Sequence, residues 1–312
     1  MLPTFSESLE NESERFQHSV MELDKMIREG RYTEAFSVLS DIEAIMNGPA
    51  KEKIIESITK EFPVDASEVR AAIDHLELGI LSQVRAYLFV MNGDQNALAE
   101  HDLGYKNLQL AVKEVMAMAR KMELSDFPDL SSEQVADFEK FVEIEHLIAR
   151  GFLASGLNAR EIAIENFRSG FSLWTDFASG AAIDSIFLIK VLEQKLQSPL
   201  LPPSSDVDEQ DPRSLFVAGR YNEAIQLISS MPEDEQCFVQ GIRIGSMALL
   251  GQYEEALEQF ENPIYNSCIS DFEEAAGKAL ISVLRGELEK AKEIALGSPS
   301  GFIYPILLLT KS

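Results

Sequence analysis

Cysteine is almost missing from this chain. Cys237 and Cys268 alone occur in 312 residues. They form neither a Cys-x-x-Cys pair nor a disulfide framework, so a reducing compartment is expected. Strand signals are nearly as scarce: alternation of apolar and polar residues is hardly anywhere sustained, which excludes an all-β or α/β architecture. No apolar run approaches the ~20 residues that span a bilayer. The opening residues, Met1-Leu2-Pro3-Thr4-Phe5, show no basic leader ahead of an apolar stretch. The expectation is a soluble, cytoplasmic protein without membrane insertion.

Basic residues are also in short supply. The chain has 27 lysines and arginines against 52 aspartates and glutamates, a net charge of −25. Such a surface repels nucleic acid and anionic membranes, so direct nucleic-acid binding is not expected. It favours a partner with a basic face. The plainer reading is that the charge keeps a large helical surface in solution.

Chemistry-bearing motifs are lacking too. The four histidines, His18, His75, His101 and His146, are scattered singly. Glu143 and His146 have the Glu-x-x-His spacing of helical di-iron sites, but such sites need a second copy, and it is missing. Asp206, Asp208, Glu209 and Asp211 resemble half a calcium loop without its central glycine or terminal glutamate. No phosphate-cradling glycine-rich lysine motif, His-Glu-x-x-His or Gly-x-Ser-x-Gly occurs. Trp174 and the methionines Met116, Met118 and Met122 offer an adaptable apolar surface, though at helical spacing they read as core. No catalytic residue, metal or cofactor is expected.

What the sequence does have is helical periodicity almost throughout. Phe16, Val20, Leu23 and Ile27 mark a first helix ending at Gly30. Tyr32, Ala35, Phe36, Leu39 and Ile42 mark its partner, and a short amphipathic helix follows over 51–61. From Asp65 to Met91 the stripe Val69, Ile73, Leu76, Ile80, Val84, Tyr87 and Met91 runs without a breaker, about 40 Å at ~1.5 Å per residue. After a turn at Asn92-Gly93-Asp94, the stripe Leu108, Ala111, Val115, Met118 and Met122 marks the returning helix. A further helix ends at Ser155-Gly156, and its partner places Ala163, Phe167, Gly170 and Trp174 on one face. The prolines and carboxylates from Leu200 to Pro212 read as a linker. Asp211-Pro212 within it suits the start of a helix. Three regions are therefore expected: an N-terminal block of helical hairpins at 1–200, an acidic proline-rich linker at 201–212, and a C-terminal region at 213–312.

A six-residue signature punctuates this pattern. It reads Gly219-Arg220-Tyr221-Asn222-Glu223-Ala224, then Gly251-Gln252-Tyr253-Glu254-Glu255-Ala256, then the weaker Gly286-Glu287-Leu288-Glu289-Lys290-Ala291. An upstream copy is Gly30-Arg31-Tyr32-Thr33-Glu34-Ala35. The last three start 32 and 35 residues apart, close to the ~34-residue period of stacked helix–turn–helix units. Glycine suits the end of one helix because it enters the left-handed region without steric cost. A small residue five positions on lets the next helix approach closely.

Residues 212–296 thus resemble the tetratricopeptide repeat family, with one isolated hairpin at 11–47. Phe260 takes the family's aromatic position after Ala256, and Ile228 takes it after Ala224. Cys268 stands where a repeat is usually closed by proline. The resemblance implies an all-α solenoid of stacked antiparallel helix pairs, with longer hairpins in the middle of the chain. It also implies that first helices line a groove for an extended or helical segment of a partner protein. Carried over by position, the groove residues are Phe238, Gly241, Gly245 and Ala248 in one unit, and Glu273, Ala276, Leu280 and Val283 in the next. The expected function is a non-enzymatic adaptor, scaffold or assembly chaperone with a basic or amphipathic partner, a role compatible with being one subunit of a larger complex. The alternative is an all-helical enzyme or metal-carboxylate protein with its site between the long middle helices.

Overall fold

The computed structural model describes residues 5–121, 132–173, 183–201, 207–236, 239–262, 270–297 and 303–311. Among the described residues the only regular elements are helices. Trp174, Met122, Cys237, Cys268 and Phe238 lie outside them. The chain forms two compact units, Met1–His146 and Leu147–Ser312.

The first unit opens with the helices α1 (Phe5–Arg28), α2 (Tyr32–Met46) and α3 (Pro49–Glu61). Leu23, Met26 and Ile27 of α1 are buried, as are Val38, Leu39 and Ile42 of α2. The long pair α4 (Ala66–Asn92) and α5 (Ala97–Lys121) follows, with Asp65 capping α4 by accepting from the Ser67 N–H at 2.7 Å. Gly93, at φ 78°, closes the turn between them. α2 and α3 both pack on α4. The buried Lys51 joins α3 to α4 through Asp74 and Glu77. Burial works against its charge, but the two carboxylates outweigh burial and hold its ammonium above the ordinary lysine range.

The apolar stripes of this unit are buried only in part. Val69, Tyr87, Ala111 and Met118 are buried, whereas Leu76, Ile80 and Val115, in the middle of the same stripes, are exposed. Phe16 and Val20 of α1 are exposed as well. Periodicity identifies a face that is apolar; whether a neighbour covers it depends on where the next helix lies.

The division between the two compact units falls within α6 (Ser132–Gly156). The second unit continues through α7 (Arg160–Leu173), α8 (Ile183–Leu196), α9 (Pro212–Val217), α10 (Tyr221–Ser230) and α11 (Glu233–Gln236). It ends with α12 (Gln240–Leu249), α13 (Tyr253–Glu261), α14 (Asp271–Leu284), α15 (Leu288–Gly297) and α16 (Ile303–Thr310). α8 precedes the proline-rich segment, yet it packs on α12 and α14, which follow it. That packing joins the two sides of the linker into one unit.

All four signature copies adopt one geometry. Gly30, Gly219, Gly251 and Gly286 have φ between 72° and 81°. In each, the glycine N–H donates to the carbonyl three residues back, and the next N–H donates to the carbonyl five back. This bonding satisfies carbonyls left open at the helix end. Ala35, Ala224, Ala256 and Ala291 are each 0% exposed. In two copies an arginine just before the second helix grips the glutamate three residues on: Arg31 holds Glu34 and Arg220 holds Glu223. The units pair as α9 with α10, α12 with α13 and α14 with α15.

Candidate functional site

Four of the eight residues assigned to a peptide groove are interior. Ala248, Ala276 and Leu280 are 1%, 2% and 0% exposed, and Gly245 is buried too. A Cβ on Gly245 would meet the Phe216 ring at 3.0 Å and the Phe187 ring of α8 at 3.3 Å. Gly241 and Val283 are half-buried. Glu273 is exposed and serves the start of α14: its carboxylate accepts from the Ser270 N–H at 2.9 Å while its own N–H donates to the Ser270 hydroxyl at 3.2 Å. That reciprocal pair is a capping box. Phe238 lies outside the described residues.

α8, which packs on α12 and α14, contributes to that burial at Gly245. Ile186, Phe187, Leu188, Ile189, Val191 and Leu192 are buried in unbroken succession except for Lys190, itself buried. A helix apolar on all sides is a core helix. Lys190 is paired at 2.8 Å with Glu193, whose other oxygen accepts from the backbone N–H groups of Leu200 and Leu201 at 2.8 and 3.2 Å. Arg160 donates to the Leu196 carbonyl at the end of α8, and Arg168 donates to the Pro199 carbonyl. Lys195 donates to the Leu309 carbonyl at the end of α16, and burial pushes its ammonium below the ordinary range. Sequence reading passes over α8 because continuous apolarity carries no face for periodicity to find.

Two of the four histidines, His101 and His146, come together in a way that their spacing does not reveal. The His146 ring stacks on Tyr105 at 3.8 Å and on His101 at 4.8 Å, and His101 Nε2 lies 3.1 Å from the His146 carbonyl. Burial pushes the Tyr105 phenol up, and the charge of Glu143 adds to it. The phenol oxygen accepts from Gln109 at 2.7 Å. Glu143 itself lines an open cleft between α5 and α6 together with Lys113, Glu139 and Lys140. His75 pairs with Glu114 at 2.8 Å across α4 and α5. In the former calcium-loop candidate, Asp211 accepts from the Arg213 and Ser214 N–H groups at the start of α9, and Asp208 accepts from the Gln210 N–H. Asp206 lies outside the described residues. Among the described residues no group of three or more His, Cys, Asp or Glu side chains is placed to share a metal ion. Nor is any helix among them long and apolar enough to cross a membrane.

Exposed apolar side chains are concentrated in the first unit. Met21 is 71% exposed, Phe141 54%, Val115 49%, Ile80 47%, Leu76 44% and Phe138 43%. Among the described residues of the second unit the exposed large apolar ones are Ile162, Leu250 and Tyr304, all at 40% or less. Comparison of the chain with family models, with curated proteins and with solved structures gives no match.

Proposed function

We propose that the chain is a non-enzymatic protein-interaction adaptor or scaffold, with a tetratricopeptide-like array in its second unit. It binds a basic or amphipathic segment of a partner protein. The observation that carries this reading is the uncovered apolar surface of the first unit, because large apolar side chains left open among polar neighbours mark interaction sites. Four of the groove positions in the second unit, Gly245, Ala248, Ala276 and Leu280, are buried, which turns the reading toward the exposed apolar side chains of the first unit. The charge of −25 fits a basic partner. The test is cross-linking and affinity capture with the intact chain. A protein partner recovered in stoichiometric amount, at the same ratio after a salt wash, is the expected result. Purified chain that captures no protein but carries one equivalent of iron or manganese would overturn the reading in favour of a metal-carboxylate protein.

A further inference from the structure

We propose that the stacked rings of His101, Tyr105 and His146 form a proton-sensitive latch, which holds the first half of α6 on α5 near neutral pH and releases it in mild acid. The inference does not depend on the adaptor reading.

The latch is built from helical spacing. His101 and Tyr105 stand one turn apart on α5 and so project from the same face. His146 of α6 lays its ring nearly parallel to both, at interplanar angles of 8° to His101 and 9° to Tyr105. His101 is 2% exposed and the His146 side chain 12%. Enclosure of this kind suits neutral imidazole and disfavours imidazolium, which gives up its hydration there. The carbonyl of His146 can only accept, so His101 Nε2, 3.1 Å from it, carries a hydrogen. A further proton would have to enter at Nδ1, on a ring almost out of reach of water.

The charges around the stack set the order of protonation. Asp102 of α5 lies 3.7 Å from His146 Nε2 and is half exposed. Glu143 and Glu139 of α6 act on the neighbouring Tyr105, and Arg150 follows His146 by one turn. α4 brings Gln83, which donates to the His101 carbonyl at 3.2 Å, and Arg85, which is held by Glu43 and Glu100. His146 therefore takes the first proton, drawn by Asp102. His101 then faces an imidazolium whose ring centre is 4.8 Å away, and both burial and repulsion oppose its own charging. Once α6 lifts away, both rings charge near the ordinary histidine value of about 6.5. The open form thus binds more protons, so closure is fully stable above that value and weakens as pH falls below it.

Hydrogen exchange of the intact chain, corrected for the intrinsic effect of pH, tests the latch. Between pH ~7.5 and ~5.5 protection of residues 136–146 is expected to fall about tenfold, while that of α14 and α15 changes less than about twofold. In the double variant His101→Phe/His146→Phe, which keeps flat rings and removes the titrating nitrogens, the fall should vanish. His75→Gln removes the histidine paired with Glu114 across α4 and α5 and should leave the fall as it is. If the double variant does not fold, proton NMR of the histidine rings in the unaltered chain decides. One ring is then expected to titrate well below the exposed His18. Equal protection at both pH values, the same fall in the double variant, or a loss shared by α14 and α15 overturns the latch. So do histidines that all titrate together with His18.

Discussion

The alanine at the fifth position after each signature glycine has no exposed surface in any copy. It is small because the second helix of the pair crosses its neighbour there at close range. Ala256→Trp places an indole where a methyl fits, and overpacking of this kind costs about 1–3 kcal/mol or more. A lowered thermal midpoint is expected, whereas an unchanged one would mean the indole finds room the burial denies it. The tyrosine at the second position is a different probe. Burial, with the charge of Glu193 adding to it, pushes the Tyr221 phenol up to about 12. A phenol whose pKa is raised by folding contributes stability that is fully present below its unfolded value near 10. That contribution is lost as pH rises toward the folded value. Stability should therefore fall between pH ~10 and ~12, and Tyr221→Phe should reduce the slope of that fall. Denaturant midpoints of the two proteins at pH 9 and pH 11 measure it, and parallel losses would exclude Tyr221 as a source.

Among the elements, those whose signals are local were legible in the sequence. The glycine stops, the Asp65 and Asp211 caps and the 27 residues of α4 all follow from short-range chemistry. What the sequence did not disclose was which helix covers which face. Leu76 and Ile80 belong to a stripe with the periodicity of a core face, yet both are exposed, and so are Phe16 and Val20. Conversely, Ala248 and Leu280 were assigned to an open groove by their place in a repeat unit, and α8 packs on the helices that carry them. These are long-range facts: α8 reaches its neighbours from across the proline-rich segment. The structure makes it a core element of the second unit, so Leu192→Ala, at a side chain 0% exposed, should cost about 2–5 kcal/mol. Local loosening of α8 alone would appear as loss of helix signal at lower denaturant than the main transition. A single cooperative transition shifted as a whole is expected, because α8 shares its core with α12 and α14.

At the scale of the whole molecule, the excess of acid is spread along the chain. Residues 1–205 hold 34 acidic and 19 basic side chains, and residues from Arg213 onward hold 14 and 8. Many of the ion pairs lie at the surface, such as Arg31 with Glu34 and Arg220 with Glu223, and pairs of that kind add little to stability. The uncompensated carboxylates instead set a negative potential that reaches beyond contact distance. On the proposed reading, a basic partner segment would be drawn in by that potential before any side chain touches, which would raise the association rate. Salt shortens the reach to ~8 Å at physiological strength. Exposed apolar side chains of the first unit, such as Leu76, Ile80, Phe138 and Phe141, would act only after docking, and they would hold such a complex in a way that salt does not weaken. The association rate of a lysine-flanked helix should thus fall several-fold between low and physiological salt, while its dissociation rate changes little. Stopped-flow mixing with the intact chain separates the two rates. An association rate indifferent to salt would reduce the acidic surface to a means of staying in solution. A dissociation rate that climbs with salt would move the holding contacts from the apolar side chains to the carboxylates.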